Sequence, residues 1–463
     1  MKIHFIGICG SAMGNVALMM RSKGHIVTGS DQNMYPPMSE ILINEGVTLF
    51  EGFSEKNIVN PDLIVIGNKL SRGNCEVEFV LNNKLCYTSM SELLKHEIIQ
   101  GLNSIVVTGT HGKTTTSSLL AWVFDNSNFI PNFIIGGALG NYGVGWQYNK
   151  LSEYLIIEGD EYDTSFFDKR SKFIHYLPSD LIINNVEFDH ADIFSSLDEI
   201  KLSFKRLVNI VPSNGLIVCN GEDLNALEVI ENSYTEIQTF GLSANCNWRA
   251  ENIVYSDKDS TYNLYFNDIF QFEIKLNLLG EFNVKNSLAV IAISRKHGID
   301  YNTINKAFAS FVNTKRRLEL KGIYSGINFY DDFAHHPTAI KATLKALRVK
   351  HPNQKIIAVF EPRSNTTRRN IFQKELVDCF DDSNLIILSE IDRLDELSED
   401  KRLNPKKIID DLNSKGKEAF YLKNSESIVD YLKETLKIND VVVVMSNGGF
   451  DNIHNKIKNI FDV

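Results

Sequence analysis

Short apolar runs recur along the chain, with amphipathic segments between them: Ile3–Ile6, His25–Thr28, Leu63–Ile66, Ser104–Val107, Tyr154–Ile157, Leu181–Ile183, Leu216–Val218, Ile356–Phe360, Leu385–Leu388 and Val441–Val444. Runs of this kind suit strands buried on both faces, and the helical patterns between them suit crossovers in a parallel sheet. The rhythm predicts an α/β protein in three blocks, 1–102, 103–313 and 314–463, with joints near Gly101-Leu102-Asn103 and Val312-Asn313-Thr314. Between Trp248 and Leu278 the pattern changes to alternation, predicting an antiparallel hairpin that turns at Asn267-Asp268 and forms an accessory sheet.

In open parallel sheets the ligand crevice lies beyond the strand carboxyl ends. After Ser104–Val107 come Gly109, Thr110, His111, Gly112, Lys113, Thr114 and Thr115, followed by a helical pattern from Thr116 to Phe124. Strand, tight glycine loop and helix in that order form a phosphate-binding loop: backbone N–H groups curl around phosphate oxygens, Lys113 neutralises charge, and the Thr114 hydroxyl reaches Mg²⁺. The general pattern has glycine at position 107, where this chain has Val107, so the loop is the shorter G-T-x-G-K-T form. Two further strand ends carry metal-ligand types, Glu158 after Tyr154–Ile157 and His190 beyond Leu181–Ile183, and these are the candidate metal residues. Asp160 and Asp163 are expected to be solvated loop carboxylates.

Composition narrows the class. With 463 residues, 43% hydrophobic and a formal charge of −10, the chain has apolar surface for more than one core and lacks the basic surplus of a general nucleic-acid or membrane-surface binder. Its cysteines (Cys9, Cys75, Cys86, Cys219, Cys246, Cys379) are scattered, without the pairing of a zinc site or disulfide framework. No apolar run reaches signal-peptide or membrane-spanning length, so a cytoplasmic protein is expected. The opening turn Gly7-Ile8-Cys9-Gly10-Ser11-Ala12-Met13-Gly14 has Cys9 and Ala12 where a dinucleotide site needs glycine, which argues against that use despite Asp31 after the second strand.

Taken together, the opening turn with Gly29-Ser30-Asp31, the loop Gly109–Thr116, Glu158-Gly159-Asp160-Glu161, Asp189-His190, Gly280-Glu281-Phe282-Asn283, Lys315-Arg316-Arg317-Leu318-Glu319 and Asp331-Asp332-Phe333-Ala334-His335-His336-Pro337-Thr338 resemble, end to end, the Mur ligases. These ATP-dependent enzymes attach amino acids or peptides to UDP-N-acetylmuramate. Asp31–Ser39, Asp163–Phe173, Glu361–Thr366 and Met445–Phe450 are most similar to members that take the tripeptide L-alanyl-γ-D-glutamyl-meso-diaminopimelate and recycle murein peptides. The resemblance implies a Rossmann-like N-terminal domain holding UDP-N-acetylmuramate, a central ATP-binding phosphate-loop domain and a Rossmann-like C-terminal domain for the peptide. It implies Mg²⁺ on Thr114, Glu158 and His190, adenine at Asn283, phosphate at Arg317, ribose at Asp332, and the UDP moiety near Gly10, Ser11, Met13, Gly14 and Asp31. Phe282 and Phe333 depart from the family pattern, where histidine and tyrosine are common. Lys205 has the spacing of a carbamylated lysine in some members, but in its run Leu202–Arg206 a solvated helix lysine is expected.

In the third block, Arg363, Ser364 and Asn365 follow one strand and Asn447 another, and both loops suit an incoming peptide because arginine pairs bidentately with carboxylates. Arg368-Arg369 and the basic run Lys401–Lys407 are taken as solvated faces. The expected chemistry is γ-phosphoryl transfer from ATP to a carboxylate, then amine attack on the acyl phosphate, with Lys113, Glu158 and His190 as the catalytic residues and His190, His335 or His336 available to the amine. The rival readings are an L-alanine-adding ligase, a folylpolyglutamate-type ligase, and a non-enzymatic nucleotide switch or UDP-sugar sensor. Small-molecule substrates are the expected partners, with neither nucleic acid nor membrane.

Overall fold

The structure, a computed structural model, describes residues 1–34 and 38–462. Tyr35, Pro36 and Pro37 of the Asp31–Ser39 motif lie outside the described residues. The apolar runs become the inner strands of three sheets. The first is parallel throughout, in the order Thr48–Glu51, Ile26–Asp31, Lys2–Ile6, Leu63–Ile66, Tyr87–Ser89. The second strand begins at Ile26 and continues to Asp31, so the aspartate ends the strand.

The central sheet has ten strands, and its middle is Leu216–Asn220, Asp180–Ile183, Asn103–Thr108 and Tyr154–Glu158, all parallel. The hairpin forms where expected, from Ser260–Phe266 and Ile269–Leu276, but it does not stand apart as an accessory sheet. Parallel pairs Phe240↔Trp248 and Gly241↔Arg249 splice its neighbour Trp248–Tyr255 onto Glu236–Gly241, so the antiparallel strands extend the central sheet at one edge. The third sheet runs Glu319–Tyr324, Ile327–Asp332, Val441–Met445, Ile356–Phe360, Leu385–Ser389, Glu418–Leu422, with only the first strand antiparallel to its neighbour.

Alternation along the central strands divides their side chains between two cores, as a period of two requires. Ile105, Val107, Ile156 and Ile182 pack with Leu120 and Phe124 of the helix Lys113–Asn126 and with Leu288 and Ile291 of the helix Glu281–Lys296. Val106, Leu155, Ile157, Leu181 and Ile183 face the other way, into a cluster shared with Phe204 and Leu207. That cluster continues into the first block through Val16 and Met20 of the helix Ser11–Ser22. Register then places the functional ends: Val107 lies beside Glu158, and Thr108 lies beside Ile183, just before Asn184.

Candidate functional site

The phosphate loop is narrower than its sequence alone conveys. Gly109 has φ +130° and Gly112 φ +81°, and a Cβ at either would stand 2.9 Å from the side chain of Asn184, with Asn286 Oδ1 equally close to the one at Gly112. Glycine is therefore required both by backbone conformation and by close approach. The Asn185 side chain accepts the His111 amide at 2.7 Å, and its backbone oxygen accepts the Thr110 amide at 3.1 Å. The helix begins at Lys113, three residues earlier than expected, so Lys113, Thr114 and Thr115 form its first turn, and Gly112 offers no side-chain cap to those amides.

Side chains from three strand ends meet over this loop. Thr114 Oγ1 donates to Glu158 Oε1 at 2.9 Å, and Glu158 Oε2 accepts the Gly136 amide at 2.7 Å. Lys113 Nζ donates to Gly109 O at 2.7 Å and to Glu161 Oε2 at 2.8 Å. His190 Nε2 stands 3.1 Å from Glu161 Oε1, and Lys172 pairs with Asp160 at 2.7 Å. Burial alone would raise the Glu161 carboxyl, but Lys113 and His190 hold it below the usual carboxylate range. The reciprocal effect on His190 overcomes its own desolvation and lifts the imidazole to about 9. Glu161 therefore stands as the anion facing Lys113.

Glu158 and His190, named together from the sequence, fall in two adjoining groups: Glu158 with Thr114, and His190 with Asp160 and Glu161, whose ligand atoms lie within 4.8 Å of one another. Glu161 is 2% exposed and was missed as a site residue; the signal was a third carboxylate within three residues of the strand end. Asp160, expected to be solvated, belongs to this group through Lys172, and Asp163 pairs with Lys169. Hydroxyl and carboxylate oxygens around Thr114, Glu158 and Glu161 are the donor chemistry of a hard divalent cation, so these residues fit Mg²⁺.

A cavity of about 570 Å³ joins this cluster to residues from distant parts of the chain. Thr110–Thr115, Glu158 and His190 line it together with Phe282, Asn283, Arg317, Asp332 and Phe333. Asn283 Nδ2 donates to Leu279 O at 2.8 Å, and Arg317 Nη2 reaches Thr114 Oγ1 at 3.2 Å. The Arg317 guanidinium lies 5.0 Å from the Phe333 ring centroid, a contact phenylalanine provides without a hydroxyl. Asp332 accepts the Leu318 amide at 2.6 Å and the Ala334 amide at 2.7 Å, and its burial raises its carboxyl above the ordinary value. Ala12 and Asn15 of the first block close one wall. Around them the opening turn is organised by Asp31, which accepts the Cys9 amide at 2.8 Å. Gly14 donates its amide to Gly10 O, Ser11 begins the helix, and Met13 is buried in the apolar cluster, so it presents only its backbone.

The third-block loops form a second group outside this cavity. Arg363 stands 3.4 Å from Glu361, Ser364 shares a hydrogen bond with Thr367 at 2.8 Å, and Asn447 Oδ1 is buried without a partner. Asn365 Nδ2 donates to Asp192 at 2.9 Å, while Thr366 Oγ1 donates to Asp189 at 2.6 Å and accepts the Ala191 amide at 3.2 Å. The segment carrying His190 is thus bound to the third block. Arg368 was expected on a solvated face but is 4% exposed, because its guanidinium bonds to Arg393 O, Glu396 and Asn365 Oδ1; Arg369 donates to Asn365 O. Lys205 is solvent-facing and pairs with Glu228, as expected of a helix lysine.

Comparison with known proteins agrees with this arrangement along the whole chain. Three family profiles match in order: Mur ligase family, catalytic domain, over residues 2–100; Mur ligase middle domain over 107–294; and Mur ligase, glutamate ligase domain, over 316–448. The UDP-N-acetylmuramate–L-alanyl-γ-D-glutamyl-meso-2,6-diaminoheptandioate ligase of Escherichia coli (strain K12) is 39% identical, covering 99% of this chain and 97% of its own. The ligase of the same name from Haemophilus influenzae is 38% identical, covering 98% of each. The crystal structure of a murein peptide ligase from Psychrobacter arcticus aligns over 100% of this chain and 99% of its own, at 34% identity and a TM-score of 0.73. This chain belongs to the Mur ligase family.

Proposed function

We propose that this protein joins L-alanyl-γ-D-glutamyl-meso-diaminopimelate to the lactoyl carboxylate of UDP-N-acetylmuramate at the expense of ATP, returning murein peptides to peptidoglycan synthesis. The observation that carries the reading is the full-length likeness to two ligases named for that tripeptide. The cavity supports the chemistry. ATP would lie with its phosphates on Gly109–Thr115, its adenine near Phe282 and Asn283 and its ribose by Asp332. Lys113 would exchange its bond to Glu161 for phosphate, and Arg317, already at Thr114, would add a second positive charge where charge is transferred.

Thr114 and Glu158 would hold one Mg²⁺, with His190 and Glu161 beside a second. Bound there, the metal supplies charge neutralisation for the transferring phosphoryl group. The remaining steps need position more than a covalent nucleophile. The first block, through Gly10, Ser11, Met13, Gly14 and Asp31, would present the carboxylate. Arg363, Ser364, Asn365 and Asn447 would orient the peptide amine for attack on the acyl phosphate, releasing phosphate. Among the described residues no helix is long and apolar enough to cross a membrane, and a cytoplasmic site of action fits the nucleotide substrates.

The test is to incubate the protein with ATP, Mg²⁺ and UDP-N-acetylmuramate, add either the tripeptide or L-alanine, and identify products by mass spectrometry. A UDP-N-acetylmuramoyl tripeptide with ADP is expected. An adduct with L-alanine alone would overturn the substrate reading, and ATP turnover with neither adduct would favour a nucleotide switch.

A further inference from the structure

Among the described residues a second nitrogen-bearing ligand group borders the phosphate loop and shares no residue with the group of Asp160, Glu161 and His190. His111, Glu187 and His336 each offer one ligand atom, and these atoms lie within 4.8 Å of one another. His111 Nε2 is 3.8 Å from Glu187 Oε2, and His336 Nδ1 is 3.5 Å from the same oxygen. Both histidines are under-satisfied. His111 Nε2 and His336 Nε2 are buried without a hydrogen-bond partner, His336 is only 4% exposed, and its Nδ1 accepts only a 3.3 Å bond from the Thr338 amide. Orphaned buried ring nitrogens are costly, so His111 Nε2, which faces Glu187, and His336 Nε2, in a ring whose Nδ1 faces the same carboxylate, call for an account.

We infer that His111, Glu187 and His336 form a binding site for one zinc-class divalent ion, separate from the magnesium residues. Ligand atoms at adjacent corners of a tetrahedron with bonds of about 2.0–2.1 Å lie about 3.3 Å apart, against 3.8 Å and 3.5 Å from the two imidazoles to Glu187 Oε2 and at most 4.8 Å across the group. Two imidazoles and one carboxylate select a borderline ion over Mg²⁺, which prefers oxygen and keeps its water. Outer contacts are in place: Thr338 Oγ1 donates to Glu187 Oε2 at 2.6 Å, and Asn185 fixes the His111 backbone at 2.7 Å. The ligands come from three places in the chain: the phosphate loop, the segment after the strand Asp180–Ile183, and the residue capping the third-block helix Pro337–Lys350. An ion there ties the phosphate loop to the third block. This inference does not depend on which amine the enzyme accepts.

Cobalt(II) is the probe, added to the full chain without nucleotide. Tetrahedral d–d absorption at one ion per chain, retained under excess Mg²⁺ and accompanied by a raised Tm, is expected. Glu187→Gln and His336→Ala should each lose both signals, while Glu161→Gln, altered in the other ligand group, should keep them. Circular dichroism verifies folding, and if His336→Ala fails to fold, Glu187→Gln decides alone. Absence of the band, its displacement by Mg²⁺, or its loss in Glu161→Gln with retention in Glu187→Gln would overturn the assignment.

Discussion

The phosphate-loop end of the central sheet and the loops beyond Ile356–Phe360 and Val441–Met445 both gather polar side chains at strand termini, yet they dispose of their hydrogen bonds differently. At the phosphate loop His111 Nε2 and Asn184 Oδ1 are unpartnered, but the charged groups have internal partners: Lys113 has Glu161, Glu158 has Thr114 and the Gly136 amide, and Asp332 has two amides. In the third block, Asn447 Oδ1 has none, and Arg363 has only a long contact to Glu361. The nucleotide end is preorganised by surrogate partners that ligand must displace, whereas the third-block end keeps bonding capacity in reserve. The first arrangement suits a ligand whose charges recur from turnover to turnover, and the second a partner whose own amides and carboxylates complete the site.

The largest expected effect comes from breaking the preorganised end. Glu158→Gln keeps the side-chain shape but removes the charge, and kcat for ADP release with all substrates present should fall by about 10²–10³. Normal turnover in that variant would break the comparison at its root. Arg363→Ala should act on the other side, raising KM for the peptide roughly 10- to 100-fold, the scale of one charged hydrogen bond, with KM for ATP within about twofold. Equal shifts in both constants would show that the regions are not separate.

Thr366→Val cuts the bond to Asp189 and the acceptor for Ala191, a direct link between the regions. A loss of about tenfold in kcat is expected, with both KM values displaced, because an unsatisfied buried partner costs about 1–3 kcal/mol. Steady-state kinetics against each substrate in turn checks it. The smallest effect is a pH dependence of stability. Asp168, bonded to Arg170, has its carboxyl lowered to about 2 in the folded chain. A depressed acid stabilises above its unfolded value and loses that contribution as pH falls toward 2. With Arg170 solvent-facing, the loss is on the order of 1 kcal/mol. Melting of the wild type and of Asp168→Asn over this acid range should converge as pH falls.

Much of this was legible in the sequence because strand ends are local features. Apolar runs marked where strands stop, and Lys113, Thr114, Glu158 and His190 all lie just beyond such stops. What a run cannot encode is which neighbour a side chain meets. Nothing local marks Glu161, whose partner Lys113 lies 48 residues earlier, and a basic stretch does not show that Arg368 has partners in Arg393 and Glu396 from a later turn. The hairpin was read correctly, but alternation alone does not reveal an edge-to-edge splice such as Phe240↔Trp248.

The first and central blocks share one apolar cluster, running from Val16 and Met20 to Leu155 and Ile157, whereas of the two third-block clusters one takes Phe188 from the central block and the other takes no residue from it. Separating the first pair would expose oil to water; separating the third block mostly trades hydrogen bonds for solvent. The blocks are therefore unequally joined, and the third is the one expected to move as an arm against a chassis made of the other two. In solution scattering, its dimensions should breathe along that one coordinate.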